Sequence, residues 1–68
     1  MPYTEAQVSD ATNLILNTRD FCGNEAAAIA DYCADENISD WFGLFELAQT
    51  RADAEWAECK QAARKAAN

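Results

Sequence analysis

The sequence predicts an all-α fold, a small bundle of three helices in one acidic helical domain spanning residues 1–68. Apolar residues recur three and four positions apart along most of the chain, which is the spacing that lines one face of an α-helix. Residues suited to helix termini divide the chain into three such segments. A chain of 68 residues makes one small core, so we expect a single domain.

The first predicted helix begins after Thr4. Thr4 and Gln7 have the spacing of a capping box, in which the side chain of each residue bonds to the backbone N–H of the other. Gly23 is the residue expected to take the left-handed conformation that ends this helix. The apolar face between these points consists of Val8, Ala11, Ile15 and Leu16.

The second predicted helix runs from about Glu25 to Ala34, with Asn24 as its N-cap. Tyr32 lies beside its apolar stripe, where the ring can cover the edge of the core while the hydroxyl stays in water. Most members of the stripe are small: Ala26, Ile29, Ala30 and Cys33.

The third predicted helix begins between residues 37 and 40 and extends as far as Ala67. Neither glycine nor proline interrupts residues 44–68, yet such a helix would be longer than the first two. Two alternatives follow: the chain breaks or kinks near Thr50, giving a fourth helix, or one long helix projects and pairs with a second copy. Its apolar stripe consists of Trp41, Leu44, Phe45, Ala48, Ala52, Trp56, Cys59 and Ala63.

The surplus negative charge is confined to the first two thirds of the chain. Residues 1–46 hold nine acids and only Arg19 as a base, a net charge of −8, whereas residues 47–68 carry +1. We call the densest group, Asp31, Asp35, Glu36 and Asp40, the acidic surface. Acids one helical turn apart repel each other, and acids at the C-terminal end of a helix oppose its macrodipole. Such placement is typical of a functional surface; the simpler alternative is a solvated face that aids solubility.

Composition argues against catalysis and against a membrane protein. The chain has no histidine, the commonest general acid or base near neutral pH, and no nucleotide-binding glycine motif. We therefore predict no enzyme activity, no cofactor and no metal site. No apolar run could span a membrane and the first residues do not form a secretory signal, which favours a cytoplasmic protein. Its cysteines are then expected to stay reduced: Cys22, Cys33 and Cys59.

Two other interpretations of residues 35–46 are less favoured. This segment has oxygen-bearing residues at calcium-loop positions, but Asp40 stands where the sharp turn needs glycine. A helix-turn-helix made of the second and third helices would present acids to phosphates, which argues against direct nucleic-acid binding. The oxygen-bearing residues are Asp35, Asn37, Ser39 and Glu46.

The favoured function is a non-enzymatic binding protein whose acidic surface blocks a basic, nucleic-acid-binding site on a larger protein. Carboxylates spaced over a helical body can imitate a nucleic-acid backbone and speed encounter with a basic partner. Trp41 and Phe42 have the spacing of core residues, but if exposed beside the acids they would anchor the partner. In small size, acidity and lack of enzyme motifs the chain resembles phage-encoded inhibitors of host machinery, anti-CRISPR proteins among them. The alternative is a helical homodimer, a scaffold or assembly adaptor, that associates through the stripe from Trp41 to Trp56.

Overall fold

Three α-helices make up the fold, which confirms the predicted all-α bundle. The computed structural model describes residues 3–67, and their side chains as far as residue 58. Helix α1 spans Glu5–Asp20, α2 spans Glu25–Asp35 and α3 spans Trp41–Ala67. Cross-contacts join Arg19 to Glu25 and Asp10 to Tyr32, so α1 and α2 run antiparallel as a hairpin, and both pack against α3.

The predicted capping box at the start of α1 is confirmed. The Thr4 hydroxyl accepts a hydrogen bond from the Gln7 backbone N–H at 3.1 Å, and the Gln7 side-chain oxygen accepts one from the Thr4 N–H at 2.8 Å. Two backbone donors that the helix leaves without a partner are thereby satisfied.

The turn that ends α1 differs from the prediction at one residue. Cys22 takes the left-handed conformation, with φ of 56°, and Gly23 does not. The N–H groups of Cys22 and Gly23 donate to the carbonyls of Arg19 and Thr18, the Schellman arrangement of a helix C-terminus. Gly23 is suited to its position by space, because a Cβ there would lie 2.9 Å from the Thr18 methyl group.

An asparagine lies just outside each end of α2. The Asn24 side chain accepts from the Ala27 N–H at 3.1 Å, which confirms it as the N-cap. The helix ends at Asp35, one residue later than predicted, and Asn37 then turns the chain with φ of 57°. The Ile38 N–H donates to the Cys33 carbonyl at 2.8 Å, which carries the buried Ile38 side chain back onto the core.

Helix α3 is continuous, so the predicted break near Thr50 is wrong, while the pairing of the long helix with a second copy stays a prediction. Thr50 does not interrupt it: the hydroxyl donates to the Glu46 carbonyl one turn earlier, at 2.9 Å. A helix of 27 residues is about 40 Å long, against a longest dimension of 45 Å for the whole fold. The long helix therefore sets the shape of the molecule.

The core lies where the three helices meet. Thr12 is its buried polar residue, and its hydroxyl donates to the Val8 carbonyl at 2.8 Å. On α3 the fully buried positions end at Ala52, so the described part of the helix beyond it contributes at most half-buried side chains such as Trp56. The buried apolar residues are Val8, Ala11, Ile15, Ile29, Cys33, Ile38, Leu44, Ala48 and Ala52.

Candidate functional site: an acidic surface beside an aromatic pair

Most of the acids form no ion pair with a described side chain. Among the described side chains, the bases are Arg19 and Arg51. Arg19 binds Glu25 at 2.9 Å and Asp53 at 3.0 Å, and Arg51 binds Glu5. Nine of the 12 acids therefore take part in no ion pair within residues 3–58: Asp10, Asp20, Asp31, Asp35, Glu36, Asp40, Glu46, Glu55 and Glu58.

The four residues of the acidic surface are all exposed and lie at the C-terminal end of α2 and in the loop to α3. Asp31 and Asp35 are one turn apart on the solvent-facing side of α2, and Glu36 is its C-cap. The last turn of this helix contains no base. The negative end of the helix macrodipole and three carboxylates thus coincide, which costs about 0.3–1 kcal/mol for each acid near the terminus.

Tyr32 connects this surface to α1. Its hydroxyl donates to the Asp10 carboxylate at 3.3 Å. Burial raises the pKa of Tyr32 to about 12, with further contributions from the charges of Asp10 and Glu36 and their hydrogen bonds to the hydroxyl. Asp10 therefore lies close to the acidic surface. Local sequence patterns do not indicate Asp10, because it is 22 positions from Tyr32 and lies on a different helix.

Asp40 is the N-cap of α3 as well as a member of the acidic surface. Its Oδ1 accepts from the Gly43 N–H at 3.1 Å, and its backbone carbonyl accepts from the Leu44 N–H. A Cβ at Gly43 would collide with this carboxyl group, lying 2.8 Å from Cγ and 2.9 Å from Oδ1. Burial raises the pKa of the Cys33 thiol and the Asp40 charge raises it further, so this carboxylate also lies near the core.

Trp41 and Phe42 form an exposed aromatic pair directly after Asp40. Trp41 is 39% exposed and Phe42 is 56% exposed, so the core spacing was misleading for these two residues. The rings meet edge to face with centroids 5.7 Å apart, and Phe45, which packs against the core, lies 6.4 Å from Trp41. An edge-to-face contact holds the pair in place without hiding it from solvent.

The stripe proposed for a homodimer is largely occupied inside the protomer. Leu44, Ala48 and Ala52 are fully buried against the other helices. Trp56 is half-buried, and the Arg19 guanidinium lies 5.5 Å from its ring centroid. A dimer interface along α3 would therefore have only the ends of this stripe to use.

Residues 35–46 do not form a calcium loop. Residues from Trp41 to Glu46 already belong to α3, and Asp40 caps that helix. Within the described side chains, no three cysteine, aspartate or glutamate residues are grouped so that they could hold a metal ion, and that part of the surface has no pocket. Among the described residues, no helix is both long and apolar enough to cross a bilayer.

Comparisons with known proteins found no matching family model, no matching curated protein and no matching solved structure.

Proposed function

We propose that this chain is a non-enzymatic binding protein that blocks a basic, nucleic-acid-binding site on a larger protein partner. The observation that carries the proposal is an exposed acidic surface that forms no ion pair among residues 3–58 and is directly followed in the chain by an exposed aromatic pair. The proposed place of action is the cytoplasm. The proposed class is that of phage-encoded inhibitors of host machinery, which includes anti-CRISPR proteins.

Charge complementarity supports a basic partner. A site that binds nucleic acid presents lysine and arginine to phosphates. Asp31 and Asp35 are about 6 Å apart in backbone rise along the helix axis, and Glu36 adds a third carboxylate. Since none of these three has an ion-pair partner among residues 3–58, binding does not require an internal ion pair to be broken first.

The aromatic pair supports a stable complex rather than a transient encounter. Exposed charges speed association and select the partner, but they contribute little to affinity in water. Partly exposed aromatic residues that become fully buried on binding are the usual source of interface energy. Trp41 and Phe42 directly follow Asp40 in the chain, so one partner surface can cover both groups.

The experiment that tests this function begins by identifying the partner. The chain is immobilised, an extract of the cells that encode it is applied, and bound proteins are eluted with rising NaCl. The captured protein is then purified, and its binding to a labelled nucleic-acid duplex is measured with and without the chain. We expect the chain to displace the duplex, and we expect displacement to weaken steeply with salt because screening shortens the reach of each charge.

Two matched triple variants test whether the acidic surface is responsible for the displacement. Asp31→Lys, Asp35→Lys and Glu36→Lys together should abolish displacement, whereas Asp20→Lys, Glu55→Lys and Glu58→Lys together should not. Both sets change the net charge by the same amount at exposed positions. Circular dichroism should show native helicity in both. If the first variant still displaces the duplex, or if the second loses the ability equally, the acidic surface is not the binding site.

A further inference from the structure

We infer that the partner places an arginine side chain, rather than a lysine, on the ring of Trp41 and pairs it with carboxylates of the acidic surface. This inference rests on the proposed function and adds the chemistry of the residue that the surface accepts. Three observations carry it: the exposure of the aromatic pair, the uncompensated acids beside it, and an arginine site of the same composition inside the molecule.

The internal arginine site shows that an indole ring and carboxylates together hold a guanidinium group. The Arg19 guanidinium lies 5.5 Å from the centroid of the Trp56 ring. It donates to both carboxylate oxygens of Glu25, at 2.9 and 3.4 Å, and it forms an ion pair with Asp53 at 3.0 Å. One indole ring and two carboxylates therefore surround a guanidinium whose side chain is only 19% exposed.

At the start of α3 an exposed indole directly follows an acid that forms no ion pair among residues 3–58. Trp41 is 39% exposed, and its ring is held by contacts with Phe42 and Phe45. Asp40 immediately precedes it in the chain and uses Oδ1 for the cap. No described arginine reaches this place, because Arg19 and Arg51 are both engaged with other acids. Among the described side chains no cation pairs with Asp40, so the proposed arginine comes from the partner.

Arginine fits this combination better than lysine. Its planar guanidinium stacks on an aromatic face while its N–H groups donate to carboxylates, and it is less strongly hydrated than an ammonium group. A lysine ammonium can satisfy the carboxylates but loses more hydration on approaching the ring. A cation–π contact at a partly exposed ring corresponds to about a two- to fivefold gain in affinity, and we expect arginine but not lysine to make this gain.

The test uses two peptides of equal length and charge, hexa-arginine and hexa-lysine, and the full chain carrying Trp56→Phe. Trp41 is then the only tryptophan, since the chain has two. We expect hexa-arginine to bind about two- to fivefold more tightly by calorimetry and to change the Trp41 emission more at saturation. Equal affinities, or no binding of either peptide, would overturn the inference.

Two further variants separate a ring contact from a general effect of charge. Trp41→Leu keeps an apolar side chain and should bind both peptides equally. Phe21→Ala removes an 86% exposed aromatic at the opposite end of α2 and should keep the preference for arginine. A preference that survives Trp41→Leu, or that disappears in Phe21→Ala, contradicts the inference. The duplex-displacement experiment does not depend on these results, so the proposed function can stand if the inference fails.

Discussion

Tyr32 illustrates how much a single residue reports about the charge around it. Its hydroxyl lies beside Asp10 of α1 and Glu36 at the end of α2, and burial together with these carboxylates raises its pKa to about 12. The pKa of this phenol therefore depends on the charges at the edge of the acidic surface. At the same scale, Asp40 combines a structural role with a charge, because its carboxylate both caps α3 and faces solvent.

The Tyr32 environment predicts a loss of stability in alkali. The raised pKa means that the unfolded chain releases the phenolic proton first, near its ordinary value of 10.0. The contribution of the neutral Tyr32 phenol to the free energy of unfolding is complete below pH 10 and is lost as the pH rises from about 10 to about 12. Urea unfolding across this range should show a steeper fall for the parent than for Tyr32→Phe. If the free energy of unfolding falls equally with pH in the parent and in Tyr32→Phe, the raised pKa of Tyr32 is contradicted.

Titration can distinguish the contribution of the neighbouring acids to the Tyr32 pKa from the contribution of burial. In a Tyr3→Phe background Tyr32 is the only tyrosine, and phenolate absorbance then reports its pKa directly. Asp10→Asn with Glu36→Gln should lower that pKa, although burial keeps it above its ordinary value. Asp20→Asn, which removes an exposed acid in the last turn of α1, serves as the control and should leave the pKa of Tyr32 unchanged.

At the scale of the helices, local sequence predicted the caps but not every turn. Thr4 and Asn24 cap as expected, because an N-cap bond involves residues only three positions apart. The left-handed residue after α1 is Cys22 and not Gly23, whose position beside Thr18 instead leaves no room for a Cβ. Thr50 looked like a cap, but within a helix its hydroxyl can bond to the carbonyl one turn back.

The start of α3 gives a testable coupling between Asp40 and Gly43. Alanine is about 1 kcal/mol better than glycine inside a helix, but a Cβ at Gly43 would displace the Asp40 carboxylate from a cap that contributes about 1 kcal/mol. Gly43→Ala should therefore change the free energy of unfolding little in the parent and raise it by about 1 kcal/mol in an Asp40→Ala background. Denaturant unfolding of the four proteins measures this difference.

One outcome would contradict the coupling. If Gly43→Ala stabilises both backgrounds equally, the side chain of Asp40 does not occupy the position described. Asp40→Asn is the useful companion, because asparagine is an equally good N-cap and keeps the helix start while removing the charge. It therefore allows the contribution of Asp40 to partner binding to be measured without loss of the cap.

At the scale of the whole molecule, unpaired acids dominate a small body. The net charge is −7, and the fold measures 45 × 23 × 15 Å. The Debye length is about 30 Å at 0.01 M salt and about 8 Å at 0.15 M. At low salt, acids across the width of the molecule therefore repel one another, whereas at physiological salt only near neighbours do.

We expect added NaCl to stabilise the fold over this range. Screening relieves repulsion among nine acids that have no ion pair within the described side chains, and it weakens only the few ion pairs of Arg19 and Arg51. The melting temperature should rise with NaCl in the parent. It should rise much less in the variant with Asp31→Lys, Asp35→Lys and Glu36→Lys, whose net charge is −1. A parent that is destabilised by salt would show that the ion pairs outweigh the repulsion.

The sequence by itself determined the first two helices with their N-caps, the helical character of the third segment and the uneven distribution of charge, because these depend on residues close together in the chain. It also predicted the acidic surface, three of whose acids lie at the end of α2 and the fourth at the start of α3. Only the tertiary structure decided that Trp41 and Phe42 lie outside the core while Leu44 lies within it, and that Asp10 approaches Glu36 through Tyr32. The reason is geometric: helical spacing defines a face, but the packing of the other helices decides how much of that face is covered.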